Sequence, residues 1–360
     1  MVLKSERIRH LPTYTPGKPV EELQRELDIE RIVKLASNEN PHGPSPKAIE
    51  KIKQDSHHVG LYPDGNCFYL KQRISVHENV LPNEIAIGNG SNELLELLCH
   101  AYLDKGDEAL MGEYCFIVYP IVSTLSQATI VRSKMPEMSH DLNDMADKIN
   151  SNTKIIFIAN PNNPTGGKIS RADLENFINQ TPKNTIIVID EAYTQYVKES
   201  ERLDVSEATK KHKNLLVLKT FSKAYGLAGL RVGYGVADKA IIENINKARE
   251  PFNVNALAQS AAIVALEDQK YIQKCVAMNQ EGMIYLKAEL NKLSVKHYPS
   301  YANFLLLEFK SEARLIYEEL LKRGVIVRPL VEYGMNNHLR VTIGTEEENK
   351  IFIEALGEVI

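Results

Sequence analysis

Short apolar runs recur along this chain, each about one strand long and each followed by an amphipathic stretch, and no other feature limits the possible folds as much. Ile85-Ala86-Ile87, Ala109-Leu110-Met111, Ile155 to Ala159, Ile186 to Ile189 and Leu215 to Leu218 are rich in β-branched or aliphatic residues, and polar or turn residues bound most of them. They read as buried strands. Between them, Asn92–Leu103 repeats Leu94, Leu95, Leu97 and Leu98 at helical spacing, with Glu93 and Glu96 turned outward. Alternation of this kind predicts an α/β fold: a mostly parallel sheet sandwiched by helices, forming a large domain. The C-terminal part reads differently. Glu312–Arg323 predicts a helix with Leu315, Ile316 and Leu320 on one stripe, stopped by Gly324. Strands are expected at Val325–Val327 and Leu339–Ile343, and Thr345 to Glu348 forms a capping box for a last helix packed through Ile351, Phe352, Ala355 and Leu356. This is a smaller α+β C-terminal domain. The expected division is an N-terminal arm with part of the small domain over 1–40, a large domain over 41–255, and a linking helix with the small domain over 256–360. The turn formers Pro12, Pro16, Gly17, Pro19, Pro41, Pro44 and Pro46 suggest that the start of the chain wraps over a surface or a neighbouring subunit.

Composition narrows the function classes. The 43 Lys and Arg against 47 Asp and Glu give a formal charge of -4, which offers no bulk attraction to nucleic acid or to an anionic membrane. No apolar run approaches the roughly 18–20 residues that cross a bilayer. The first residues, MVLKSERIRHLPTY, lack the apolar core of a signal peptide. Cys67, Cys99, Cys115 and Cys275 are far apart with no C-x-x-C pair, so buried reduced thiols in a cytoplasmic protein are expected. No H-E-x-x-H occurs, and no metal site is expected.

Four stretches carry chemistry. Thr220 to Arg231 follows the strand Leu215–Leu218, which puts Lys223 at the carboxyl end of a sheet strand, where open α/β folds bind ligands. A partly desolvated lysine there has a lowered pKa and can form a Schiff base with a carbonyl, and Ser222 with Arg231 could hold a phosphate beside it. Asp190, directly after four aliphatic residues and three before Tyr193, is a costly carboxylate unless a positive group such as a protonated ring nitrogen pairs with it. Asn160 to Gly167 fits a rigid loop presenting side-chain amides. Gly88-Asn89-Gly90-Ser91-Asn92-Glu93 opens a helix and suits an anion such as phosphate; as a dinucleotide fingerprint it lacks the third glycine. Each has a bland alternative: a solvated lysine, a capping aspartate, a plain turn. Together they are the parts needed to hold pyridoxal phosphate.

On these residues the chain resembles the fold-type I pyridoxal-phosphate aminotransferases. The likeness runs through Leu35 to Pro41, Tyr62 to Gly65, Gly90-Ser91-Asn92, Asn160 to Gly166, Asp190 to Tyr193, Ser222-Lys223 with Arg231, and Leu339 to Thr345. Within that family it is similar to the class II branch acting on histidinol phosphate. The resemblance implies that Lys223 binds the cofactor and moves the α-proton, that Asp190 keeps the ring nitrogen protonated, and that Tyr193 and Asn163 hydrogen-bond the 3′-oxygen. Phe116 would stack on the ring, while Gly90, Ser91, Asn92, Ser222 and Arg231 would hold its phosphate. Tyr62 would reach that phosphate from the other subunit of a homodimer. Arg340 would grip the carboxylate of glutamate or 2-oxoglutarate and accept the phosphate of histidinol phosphate, assisted by Arg328, Tyr14 and Asn40. By themselves Arg328 would pass for a surface charge and Tyr14 for a packing ring. His42 and Tyr114-Cys115 depart from the commoner residues of the family, on the imidazole side of the pocket.

The alternatives within this fold are an aminotransferase of Tyr or Phe and a decarboxylase of threonine phosphate. A nicotinamide dehydrogenase built on the Gly88–Glu93 loop would bind NADH. A transcription regulator on the same body would need an added DNA-binding segment and a basic face.

Overall fold

The computed structural model describes residues 5–9, 11, 17–27 and 31–360. Seven strands, β1 (Ile85–Gly88), β2 (Glu108–Gly112), β3 (Thr129–Ser133), β4 (Thr153–Ala159), β5 (Ile186–Asp190), β6 (Leu215–Thr220) and β7 (Gly233–Ala237), form one sheet in the order β1-β7-β6-β5-β4-β2-β3. Adjacent pairs from β6 to β3 are parallel, and β7 is antiparallel to both of its neighbours. Both faces are covered. On one side Ile156, Ile158, Ile187, Ile189 and Val217 enter a single core; on the other Ile155, Phe157, Val188, Leu216 and Leu218 enter a second. Strands buried on two sides need apolar residues at successive positions, which is why these runs do not alternate.

Two strands of this sheet escape the sequence reading. β3 lies at the sheet edge with most of its residues exposed or half-buried, so it has no continuous apolar run. β7, Gly233-Tyr234-Gly235-Val236-Ala237, is interrupted by glycine for a steric reason: a Cβ on Gly233 would come within 2.6 Å of the Ser91 nitrogen. The strand passes directly under the helix start at Ser91.

Helix α1 (Phe68–Glu78) packs Leu70 and Ile74 in the core, while α2 (Ser91–Tyr102) and α3 (Val118–Leu125) carry residues of the site. In α2 Leu94, Leu95, Leu97 and Leu98 are buried and Glu96 is exposed, as expected. Glu93 is instead half-buried, and its carboxylate accepts the Asn89 N–H and the Asn253 amide, each at 2.6 Å, which closes the loop before α2.

The helix α4 (Gln269–Lys292) leads to the second unit. It packs Ile272 on the large-sheet core and Met283, Leu286 and Leu290 on a separate small-unit core. There β8 (Lys296–His297), β9 (Phe304–Glu308), β10 (Arg328–Leu330) and β11 (Met335–Thr342) form an antiparallel sheet in the order β10-β11-β9-β8. The expected helix is α5 (Ala313–Lys322), but its buried stripe is Ala313, Ile316 and Leu320; Leu315 is 60% exposed, one residue off the stripe. The expected strand Val325–Val327 is divided: Val325 and Ile326 pair in parallel with Val33 and Lys34, and the chain then enters β10. The Thr345 capping box opens α6 (Glu346–Gly357), which buries Phe352, Ala355 and Leu356. All four cysteines are buried. Among the described residues, no helix is long and apolar enough to cross a membrane.

Candidate active site

Parallel strands deliver their carboxyl ends to one edge, and the loops leaving them carry the predicted residues. Asp190 ends β5, Asn163 follows β4, Ser222 and Lys223 follow β6, and Ser91 opens α2 just after β1. They line one cavity, together with Asn92, Phe116, Tyr193 and Arg231. Arg231 adopts a left-handed backbone (φ 56°) at the turn into β7, and its guanidinium lies 3.5 Å from the Ser222 hydroxyl. Gly90 has a φ of 80°, which strains any residue with a side chain, and a Cβ there would lie 2.6 Å from Nη2 of Arg231 and force the guanidinium to shift. That close approach leaves the backbone at the start of α2 facing a guanidinium, an arrangement that suits a phosphate.

Lys223 donates through Nζ to the Ser37 carbonyl at 2.9 Å. Desolvation in the cavity, reinforced by the charges of Arg340 and Arg231, lowers its pKa to about 7. Asp190 is 5% exposed, and burial pushes its pKa up. Its two oxygens accept from neutral donors, the Tyr119 hydroxyl at 2.8 Å and the Ala192 N–H at 3.1 Å. Tyr193 accepts the Asn38 amide at 2.9 Å on its phenolic oxygen.

A second cavity adjoins the first and shares Phe116, Asn163, Tyr193 and Lys223 with it. Arg340 and Arg328 line it, directly opposite each other on β11 and β10, and both are buried. Arg328 is therefore no surface charge; it also forms an ion pair with Glu332 at 2.6 Å. Arg340 donates to the Asn163 side-chain oxygen at 2.5 Å and to the Ala36 carbonyl at 2.7 Å, while its buried Nε has no hydrogen-bond partner among the described residues.

Asn40 and Tyr62, both expected here, do not line these cavities, nor does Gly90 itself, although its neighbour Ser91 does. The Asn40 amide donates to the Ala224 carbonyl at 2.9 Å, one residue past Lys223. Tyr62 is 83% exposed and stacks on Phe252 at 4.7 Å. Tyr14 lies outside the described residues. Sequence reasoning assigned no role to Tyr119, Asn38 or Tyr333, which the structure places at the site. For Tyr119 the available signal was its spacing of three from Phe116, the two residues being joined by the turn that leads into α3. Asn38 left a weaker trace, an asparagine in a turn-rich stretch, the residue type that tolerates its left-handed φ of 56°.

Comparison with known proteins now bears on this geometry. The sequence pattern of the family "aminotransferase class I and II" matches residues 30–356. A histidinol-phosphate aminotransferase 2 of Haemophilus influenzae is 44% identical over 353 residues, covering 98% of this chain and 96% of that protein. One of Pseudomonas fluorescens is 45% identical over 364 residues, covering 100% and 98%. The crystal structure of histidinol-phosphate aminotransferase from Sinorhizobium meliloti in complex with pyridoxal-5′-phosphate superposes with a TM-score of 0.91 at 24% identity, covering 99% of this chain and 97% of that one; this likeness concerns the fold.

Proposed function

The chain belongs to the aminotransferase class I and II family and is a pyridoxal-phosphate-dependent aminotransferase, and from that premise we propose that it moves an amino group between L-histidinol phosphate and 2-oxoglutarate, giving imidazole-acetol phosphate and L-glutamate. The observation that carries the reading is the meeting of Lys223 and the buried Asp190 in one cavity with an arginine-lined cavity adjoining it. The cavity fits the cofactor: Gly90 leaves just the room a phosphate cradle needs against Arg231, and Asp190 is a buried carboxylate held by neutral donors, which a protonated ring nitrogen would complete.

When bound, the cofactor supplies a carbonyl and a cationic ring that accepts the electrons left on the substrate's α-carbon. Ser91, Asn92, Ser222 and Arg231 would hold its phosphate, and Phe116 would lie against the ring face. Tyr193 and Asn163 would bind the 3′-oxygen, and Asp190 would keep the proton on the ring nitrogen. Nζ of Lys223 would hold the cofactor and serve as the base for the substrate's α-proton, a task suited to a pKa of about 7. Arg340 binds the substrate anion, the carboxylate of glutamate in one half-reaction and the phosphate of histidinol phosphate in the other, with Arg328 beside it. The family resemblance assigns Tyr14 to the substrate phosphate as well, and Asn40 acts by anchoring the backbone next to Lys223.

The working unit is a homodimer in which Tyr62 reaches the partner's cofactor phosphate. The exposure of Tyr62 and of its neighbours Val59, Leu61, Phe68 and Tyr69 supports this, since so much apolar surface in one stretch marks an interface. The domain division at residues 40 and 255 is supported by the two sheets on either side of residue 255 and by the pairing of Val33 with Val325. The enzyme serves histidine synthesis in the cytoplasm. Single-turnover rates on histidinol phosphate, tyrosine and threonine phosphate test the substrate: histidinol phosphate reacts fastest, and a clear preference for either competitor refutes the assignment. Borohydride trapping followed by peptide mapping marks Lys223; an adduct on any other lysine refutes the site.

A further inference from the structure

Tyr119 is one of the largest fully buried side chains of the protein and had no expected role. It projects from α3 against the large sheet. Its ring lies flat on Phe157 of β4, with centroids 4.9 Å apart and planes 9° apart, and meets Phe116 edge-on at 5.6 Å and 86°. Held between these two rings, its hydroxyl is delivered to Oδ2 of Asp190 at 2.8 Å, while the Ala192 N–H holds Oδ1. We propose that Tyr119 is a positioning residue for the transamination: it orients the Asp190 carboxylate and keeps it ionised toward the ring nitrogen of the cofactor, and through Phe116 it also sets the ring's face contact. This rests on the reading that Asp190 pairs with that nitrogen.

The choice of a phenol has a physical reason. A lysine, arginine or histidine in the same place would neutralise Asp190 and compete with the ring nitrogen for it. A buried hydroxyl stabilises the carboxylate and leaves its charge for the ligand. The proton stays on the phenol, because burial and the Asp190 charge both push the Tyr119 pKa well above its ordinary value, so the bond always runs from tyrosine to aspartate. The other titratable groups facing the pair are Lys223, Tyr193 and Cys115. Of these, Lys223 supplies the only positive charge acting on Asp190, and its own pKa of about 7 leaves it partly neutral.

Tyr119→Phe keeps both ring contacts and deletes only the hydroxyl, so the fold is retained, and an unchanged melting temperature of the protein checks this. The dissociation constant is then measured for pyridoxal phosphate and for its deaza analogue, in which carbon replaces the ring nitrogen, on wild type, Tyr119→Phe and Asp190→Asn. The expected result is about tenfold weaker binding of pyridoxal phosphate to Tyr119→Phe, the loss of one hydrogen bond to a charged group. Binding of the deaza analogue is unchanged or tighter, because it has no nitrogen to pair. A purely structural role would weaken both ligands alike, and that result, or no change in either, overturns the inference. Asp190→Asn separates the two levels of the argument. If it too leaves both affinities unchanged, the pairing of Asp190 with the nitrogen is wrong; if it alone discriminates between the ligands, Tyr119 has no part in that pairing.

Discussion

Asp190 was legible because it directly follows four buried aliphatic residues, and Lys223 because it lies in the loop that leaves the strand begun by Leu215 to Leu218; both stand at the carboxyl edge of the sheet, where open α/β folds bind ligands. The chemistry that makes Lys223 useful was not legible to the same degree. Its lowered pKa depends on desolvation first and on the Arg340 charge next, and Arg340 arrives from the small sheet. An amine with a pKa of about 7 is mostly neutral, and so nucleophilic, above that pH and mostly protonated below it. Labelling of Lys223 in the apo-protein by a carbonyl reagent, followed by peptide mass spectrometry, should therefore rise with pH with a midpoint near 7. Arg340→Met removes the larger of the two positive neighbours and should move that midpoint upward. At Gly90 the expected result is local: alanine there must adopt a φ of 80° and press on Arg231, costing on the order of 1–3 kcal/mol. Gly90→Ala should fold but bind pyridoxal phosphate at least about tenfold more weakly, by equilibrium dialysis.

Elements were readable where one physical pattern dominated them. The five apolar runs became β1, β2, β4, β5 and β6, while β3 and β7 were missed because edge exposure and close backbone packing erase the apolar run that marks a strand. Leu315 shows the complementary error, a leucine counted into a stripe that helical geometry places one residue away. Thr345 was readable from four consecutive residues, since capping is local. Thr345→Ala should lower stability by about 1 kcal/mol in urea unfolding, through loss of the hydroxyl that accepts the Glu348 N–H. Where β6 meets α1, a buried ionic cluster could not be foreseen. Lys219 donates to both oxygens of Glu78 at 2.9 Å and lies 3.5 Å from Glu191. Glu78 also accepts the Tyr234 hydroxyl at 2.6 Å. Its pKa is lowered despite burial, whereas burial raises that of Glu191, so Lys219 is paired chiefly with Glu78. Lys219→Met leaves a buried carboxylate without its cation and should cost about 3–5 kcal/mol in the same unfolding measurement. Glu191→Gln, which imitates the protonated acid, should cost far less.

For the whole molecule, the site is a meeting of distant pieces. β6 and the loop after it supply Lys223, the small sheet supplies Arg340 and Arg328, and the segment before residue 41 closes over them through Ser37 and Asn38. The proposed homodimer extends this across subunits and can be tested by complementation. Lys223→Ala and Tyr62→Ala are each expected to have low activity alone. If Tyr62 serves the partner's site, mixed dimers contain one doubly damaged site and one intact site, so activity should reappear on mixing and subunit exchange. If Tyr62 served its own subunit, every mixed site would carry one lesion and no activity would return.

From its amino acids alone this chain determined its strand–helix alternation, the sheet edge at which Lys223 and Asp190 would stand, and the glycine loop proposed to hold a phosphate. Those follow from short-range periodicity and from the rule that parallel strands point their carboxyl ends the same way. Tertiary structure decided what no local pattern encodes: that Tyr119 reaches Asp190, that Arg340 and Arg328 are buried together beside Lys223, and that Asn40 holds backbone and does not line the cavity. Hydrogen bonds and charge effects depend on distances of a few ångströms between residues far apart in the chain, and only folding sets those distances.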